Sequence, residues 1–270
     1  MTAAAQSQGV RIEAMLARAH PSWHPTLRQG LEALSRVTPD YLPGLLADDF
    51  LPSGERLFAA FAQPLEAVRF VLFGEGPYPR DASATGVCFM DGAVGCLWAN
   101  GGLSTQVNRA TSLRNFMKML LVADGRLDPG RTAGDALAPI AAEASSAGTT
   151  TVQTLTQLQD NLHANGFLLL NTSLVFRAHV APLREARAWT PFLNVVLAAL
   201  AAHAADAGQS LPTLVLWGKV AALVDPLPGA VGFPKVVAEH PYNLSFITNH
   251  AMHKLFQPLT LLRSRARGAG

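Results

Sequence analysis

The sequence predicts an α/β fold, a three-layer α/β/α domain built on a central four-stranded parallel sheet. Three observations carry that prediction. Four short apolar runs, at 68–73, 167–170, 214–217 and 236–238, each end in a turn residue or a polar cluster. Amphipathic stretches of helical period lie between them, which is the alternation expected of parallel strands with crossover helices. Hydrophobic residues make up 49% of the 270 and charged residues only 15%, enough apolar surface for a large core.

The elements follow in order. Residues 1–20 and 263–270 read as disordered or peripheral ends, the first nine residues frayed. Ile12, Met15, Leu16 and Ala19 recur at helical spacing, and 21–25 (PSWHP) breaks that helix. Leu27, Leu31 and Leu34 mark a second helix. Ser53 is placed to cap a third, carrying Leu57, Phe58 and Phe61 on one face. The first strand ends at Gly74, and Gly74, Gly76, Pro77 and Pro79 force a sharp turn. Short apolar pieces at 87–90 and 96–99 flank Asp91-Gly92 as a hairpin or loop, and 101–111 is polar and irregular. Ser112 then caps an amphipathic helix with Leu113, Phe116, Met117, Leu120 and Leu121 in one stripe. Residues 124–150 form an excursion with at most one short helix near 136–144. Helices follow through Leu155, Leu158 and Leu162, from Thr190-Pro191 to Gly208, and from 250 to 261 before a basic tail of Arg263, Arg265 and Arg267. No repeat or linker divides the chain, so 1–270 reads as one domain.

Charge and composition limit the function. A net charge of +2 gives no global field, so any nucleic-acid contact has to come from a local patch. Cys88 and Cys96 lie in or near apolar runs and read as reduced, buried thiols, consistent with a cytoplasmic location. The start MTAAAQSQG lacks a signal-peptide pattern, and the longest apolar helical run, 192–202, is too short to span a bilayer. No membrane partner is expected.

In a parallel sheet the carboxyl strand ends share one edge, where ligands bind. That edge carries the 74–79 turn, Asn171, Gly218 and His240. A carboxamide supplies both a donor and an acceptor, an imidazole can donate to a developing oxyanion, and glycine amides can approach a ligand closely. Such a set suits a flat, uncharged polar ring. Each residue also has a plainer reading. Phe89 alone reads as core, Asn171 equally as a turn cap, and His240 as a structural histidine. Leu244 is an exposed-looking leucine in a polar loop, a better fit to a surface role than to a core one. His250 and His253 stand i, i+3 on a helix without an evident third ligand. They read as a solvated or DNA-facing surface, and no metal or other cofactor is expected.

Taken together, these motifs resemble the UNG-type (family 1) uracil-DNA glycosylases. Their GQDPYH is matched by 74–79 (GEGPYP), and their GLCF, at the same spacing, by 86–89 (GVCF). Their GVLLLN is matched by 166–171 (GFLLLN), their LTVRAH by 174–179 (LVFRAH) and their LLWG by 215–218 (VLWG). Their HPSPLS is matched in outline by 240–245 (HPYNLS), and the likeness spans roughly 23–256. The resemblance implies an enzyme that extrudes uracil from single- or double-stranded DNA and hydrolyses its N-glycosidic bond without a metal, releasing free uracil. It implies that Phe89 stacks on the uracil, Asn171 reads its edge, and Tyr78 blocks the C5 position against thymine. Glu75 and Gly76 fall in the same uracil-binding turn. His240 would hydrogen-bond O2 as charge grows there, Leu244 would fill the hole in the duplex, and Ser112 and Ser245 would pinch the backbone.

The departures from the family pattern are specific. Gly76 falls where the family has its water-activating Asp, Pro79 where it has His, and Glu75 where it has Gln. That Glu echoes the GEAPG motif of the iron–sulfur uracil glycosylases, whose cluster cysteines are absent here. Ala110-Thr111 replaces the proline-rich loop, and Tyr242 and Asn243 replace Ser and Pro in the last motif, so weak or no binding of the phage uracil-glycosylase inhibitor is expected. Loss of a catalytic base costs about 10²–10⁴-fold, while each oxyanion donor contributes ~3–4 kcal/mol, so activity survives at a lower rate. Glu75 and Asp81 are the carboxylates expected to orient the water. The alternative functions are a non-catalytic binder of uracil or damaged DNA, and a glycosylase for another lesion.

Overall fold

The structure is a computed structural model that describes residues 3–264, with the backbone alone for 3–8. Arg265 and Arg267 of the expected basic tail lie outside the described residues. In chain order the helices are α1 (Ala3–Leu16), α2 (His24–Val37), α3 (Tyr41–Leu46), α4 (Thr105–Arg109), α5 (Thr111–Ala123), α6 (Ala138–Ala144), α7 (Leu155–Ala164), α8 (Pro182–Asp206), α9 (Val220–Val224) and α10 (His250–Phe256). The strands are β1 (Phe70–Gly74), β2 (Trp98–Ala99), β3 (Gly102–Leu103), β4 (Phe167–Asn171), β5 (Thr213–Trp217) and β6 (Lys235–Ala238). The sheet is four-stranded and parallel, in the order β4-β1-β5-β6, as the apolar runs predict.

The chain divides into two compact units. The first, Met1–Gly92 with Gly166–Val236, holds the sheet. Its β1, β4 and β5 are short and apolar on both faces, the mark of buried parallel strands, while β6 is largely exposed. Val71 and Phe73, Leu168 and Leu170, and Leu214 and Leu216 share one face and pack with α1, α2, α3 and α8 in a single core. In that core the Phe192 ring stacks on Phe58 with centroids 6.0 Å apart and meets Trp189 edge-on at 5.2 Å. A Cβ at Gly30 of α2 would lie 2.5 Å from the Phe192 ring, so glycine is what lets α8 seat that ring against α2. Truncating a fully buried Phe such as Phe192 costs about 3–5 kcal/mol.

A buried polar cluster ties this unit's loops to α8. Glu185, 2% exposed, accepts from Tyr41 Oη (2.5 Å) and Arg177 Nε (2.6 Å). Arg177 Nη1 also reaches Asp48 at 3.3 Å, and His179 Nε2 lies 3.2 Å from the same carboxylate. Burial together with the Glu185 carboxylate holds the Tyr41 phenol protonated.

The second unit, Ala93–Asn165 with Val237–Gly270, is built round α5. Leu113, Phe116, Met117, Leu120 and Leu121 are buried, and Phe116 meets Phe256 of α10 edge-on at 5.2 Å. A capping box between Thr154 and Gln157 starts α7. From α7, Asn161 Nδ2 donates to Leu261 O (2.7 Å) and Arg263 O (2.8 Å) and so pins the described end of the chain.

Several sequence expectations are corrected. The first helix is longer than the spacing of Ile12, Met15, Leu16 and Ala19 marks, α1 running from Ala3 to Leu16, and Met1 and Thr2 lie outside the described residues. Ser53 caps nothing: its hydroxyl donates to Asp81, and 56–61 is a 3-10 turn entered through left-handed Glu55. Of the two readings for Asp91-Gly92 the loop holds, and a two-stranded hairpin forms further on, pairing β2 with β3 around Asn100-Gly101. The stretch 101–111 is not irregular, since Ser104 accepts from Val107 N and starts α4. Ser112 lies inside the first turn of α5, whose N-cap is Ala110. The last helix stops at Phe256, and Gln257–Leu259 forms a 3-10 turn containing Pro258. Cys96 is exposed rather than buried. Pro191 opens no helix: α8 begins at Pro182 and runs 25 residues through it, long and apolar enough by those measures to cross a membrane. Its Trp189, Phe192, Leu193, Val196, Leu197 and Leu200 are instead buried in the first unit's core.

Candidate active site

The sequence-predicted residues divide between the units. Glu75, Gly76, Tyr78, Asp81, Phe89 and Asn171 belong to the first; Ser112, His240, Leu244 and Ser245 belong to the second.

In the first unit the ends of β1 and β4 pair Gly74 with Asn171. Asn171 is 6% exposed, and a Cβ at Gly74 would lie 2.4 Å from its Oδ1 and 3.1 Å from Cys88 Sγ. Any side chain at position 74 would therefore displace the carboxamide. The turn beyond is held against the 171–173 backbone. Thr172 N donates to Gly74 O (2.8 Å), and Thr172 Oγ1 and Ser173 N donate to Glu75 O (2.8 and 3.2 Å). Only the Glu75 backbone is engaged, and its exposed carboxylate has no hydrogen-bond partner among the described residues. A Cβ at Gly76 would sit 3.7 Å from Ser173, in ordinary contact.

Phe89 follows a loop tied down at each step. Gly86 adopts φ +82°, and a Cβ there would collide with Arg56 O. Thr85 Oγ1 donates to Met90 O (2.9 Å) and accepts from Val87 N, and Cys88 N donates to Leu169 O of β4 (3.1 Å). Phe89 itself is left-handed at φ +67°, a backbone state that costs a bulky residue ~1–3 kcal/mol. Its partly exposed ring meets Trp217, the last residue of β5, edge-on at 5.3 Å. The amide of Asn171 and the Cys88-Phe89 segment thus flank the same strand end at Gly74. Tyr78 is half-buried; burial, then the Asp91 and Cys88 groups, push its hydroxyl pKa up and keep it a neutral phenol. Asp81 is occupied elsewhere, accepting from Ser53 Oγ and pairing with Arg56 at 3.2 Å.

In the second unit His240 Nδ1 accepts from Tyr242 N (3.1 Å). That bond assigns the proton to Nε2, making it the donor of the neutral ring. The 240–245 loop is gripped by Asn115 of α5, which is fully buried and donates through Nδ2 to Pro241 O at 2.8 Å. Asn115 is a positioning residue that sequence reasoning misses; its one signal is an amide interrupting the apolar stripe of α5. Partial burial acts to raise the Glu239 pKa, but hydrogen bonds from its own backbone, Ser245 and Asn249 outweigh it and hold the carboxyl low. Leu244 is 70% exposed at the loop tip. His253 Nε2 bonds Ile247 O at 2.8 Å.

No family model matches the chain. The crystal structure of the UNG from Nitratifractor salsuginis is 38% identical, with TM-score 0.83, over 98% of this chain and all of that one. The chain belongs to the uracil-DNA glycosylases. A curated relative of that name from Corynebacterium glutamicum is 29% identical over 233 residues, covering 84% of this chain and 81% of its own. The "Uracil-DNA glycosylase 2" of Streptomyces coelicolor is 27% identical, covering 81% and 77%. Within a glycosylase the strained Phe89 loop and the Asn171 strand end are the features to weigh, because backbone strain of this kind persists where surrounding structure over-determines it.

Proposed function

We propose that this chain excises uracil from DNA in base-excision repair, by an arrangement of water activation different from the family pattern. The observation that supports it most is the Asn171 carboxamide packed into the notch left by Gly74, beside the segment that holds Phe89 in a strained conformation. An extruded uracil stacks on Phe89, pairs its edge with Asn171 in the turn of Glu75 and Gly76, and abuts Tyr78 at C5. Extrusion costs a few kcal/mol of unstacking, offset by that fit and by Leu244 filling the gap. Ser112 and Ser245 hold the backbone. As the C1′–N1 bond breaks, its electron pair passes to the uracil, and Nε2–H of His240 donates to the growing charge on O2. Water then adds at C1′ and gives its proton to a carboxylate.

Of the two carboxylates expected for that role, Glu75 is uncommitted while Asp81 is held by Ser53 and Arg56. We assign the water to Glu75. In single-turnover excision from a uracil-bearing oligonucleotide, Glu75→Gln lowers the rate about 10²-fold, within the span of a lost general base. Asp81→Asn stays within a few-fold of the parent. Equal, full rates in both variants reject the assignment. Absence of strand cleavage after alkali in the parent supports the second reading, a binder that retained the pocket, which Gly76 favours. T:G and hypoxanthine substrates test the third, another lesion. Exposed Tyr242 and Asn243 argue for weak or no binding of the phage inhibitor, an expectation that low-nanomolar inhibition overturns. The chain acts as one functional domain, and we place it in the cytoplasm.

A further inference from the structure

The second unit contains a cleft of about 500 Å³ whose cations the proposed reaction does not use. Arg114, Lys118, Asn100 and Asn108 line it, with Leu244 at one side and Ala133, Gly134 and Leu137 of the 124–150 excursion as a wall. Lys118 is only 8% exposed, yet its ammonium has no hydrogen-bond or ion-pair partner among the described residues. Arg114, one helical turn earlier on α5, donates to Asn108 O through Nη1 alone. No carboxylate lines the cleft. The stem of Lys118 is buried while its unpaired ammonium opens on the cleft, where an anion would complete it. Desolvation, then the Arg114 charge, lowers the Lys118 pKa, as expected of a cation waiting for a counter-charge.

We infer that this cleft seats a DNA backbone phosphate, held by Lys118 and Arg114 beside Leu244, and that the 124–150 excursion exists in this chain to wall it. The inference rests on the DNA-repair reading. The occupant is a strand phosphate rather than a free anion because Leu244, large, apolar and exposed, shares the cleft, and Ser112 precedes the two cations on the same helix.

Binding of a uracil-bearing duplex is measured by fluorescence anisotropy between about 50 and 200 mM salt. Each phosphate contact contributes a slope of ~0.9 in log affinity against log salt, so Lys118→Met should lose about 3.5-fold less affinity than the parent across that range. Ala133→Glu, which sets a carboxylate at the wall of the cleft, should weaken binding with a similar loss of slope. The thermal midpoint of Lys118→Met should equal or exceed the parent's, since the apolar stem is kept and a partly desolvated, unpaired charge is removed; a lower one marks a structural lysine and overturns the inference. Parental slopes in both variants overturn it too. So does inorganic phosphate that raises the parent's midpoint, but not the variant's, while the slopes stay equal: that cleft takes a free anion. A parent that binds with the expected slope but releases no uracil leaves the cleft standing and removes the excision reading.

Discussion

Gly76 is where a single side chain can decide how this enzyme works. The backbone there is not left-handed, and a Cβ would meet only Ser173 at 3.7 Å, so the site has room for a carboxylate. Gly76→Asp should therefore fold normally and raise the single-turnover excision rate at least tenfold, moving back toward the family arrangement. An unchanged rate would mean that Glu75 already saturates the role. Phe89 gives the opposite kind of test. Its left-handed backbone suits glycine, so Phe89→Gly should relieve strain and hold or raise the thermal midpoint while excision falls about 10²-fold for want of a stacking face. Neither property is legible in the sequence. GVCF shows which aromatic to examine, but the sign of its φ comes from Gly86, Thr85 and the Cys88–Leu169 bond acting together.

At the scale of elements, the strands are readable because 70–73, 167–170 and 214–217 are apolar without interruption, as a doubly covered parallel strand requires. Helix ends are not, because the signals used compete with tertiary demands. Pro191 looked like a first-turn proline, yet burial of Glu185, Ala186 and Trp189 carries α8 back to Pro182. Serine at 53 and 112 looked like a cap, but Ser53 serves Asp81 and Ser112 sits past the cap position. Asn100-Gly101 and Asp91-Gly92 are equally good turn dipeptides, and only the pairing of Trp98 with Leu103 chooses between them. The Tyr41–Glu185–Arg177 cluster predicts a large local effect. Glu185→Ala removes one of the two carboxylates on a half-buried Arg177 guanidinium, leaving Asp48, and takes the acceptor from Tyr41, so it should cost about 1–3 kcal/mol in denaturant unfolding. A loss below 1 kcal/mol would show that water replaces the carboxylate.

For the whole molecule, one response to pH between neutral and mildly acid runs through His163. Burial, opposed by Asp160, holds its imidazole pKa below the usual 6.5, and its Nε2 has no partner among the described residues. Below pH 6.5 the unfolded chain takes up a proton that the folded chain refuses, so stability falls as pH falls through that window. The thermal midpoint of His163→Gln should drop less than the parent's between about pH 7 and 5; parallel curves would exclude His163. The order of the chain has a last consequence. The middle strand β1 has partners on both sides, β4 and β5, and both come late in the sequence. On a ribosome adding about 5–20 residues per second, β1 emerges several seconds before β4, and the first unit can close only after residue 236 has been made. A nascent chain of this protein thus carries a naked apolar ribbon, with both edges open until β4 is made and one until β5 is made, and its yield in a heterologous host should depend on holdase supply and elongation rate more than on the equilibrium stability of the finished molecule.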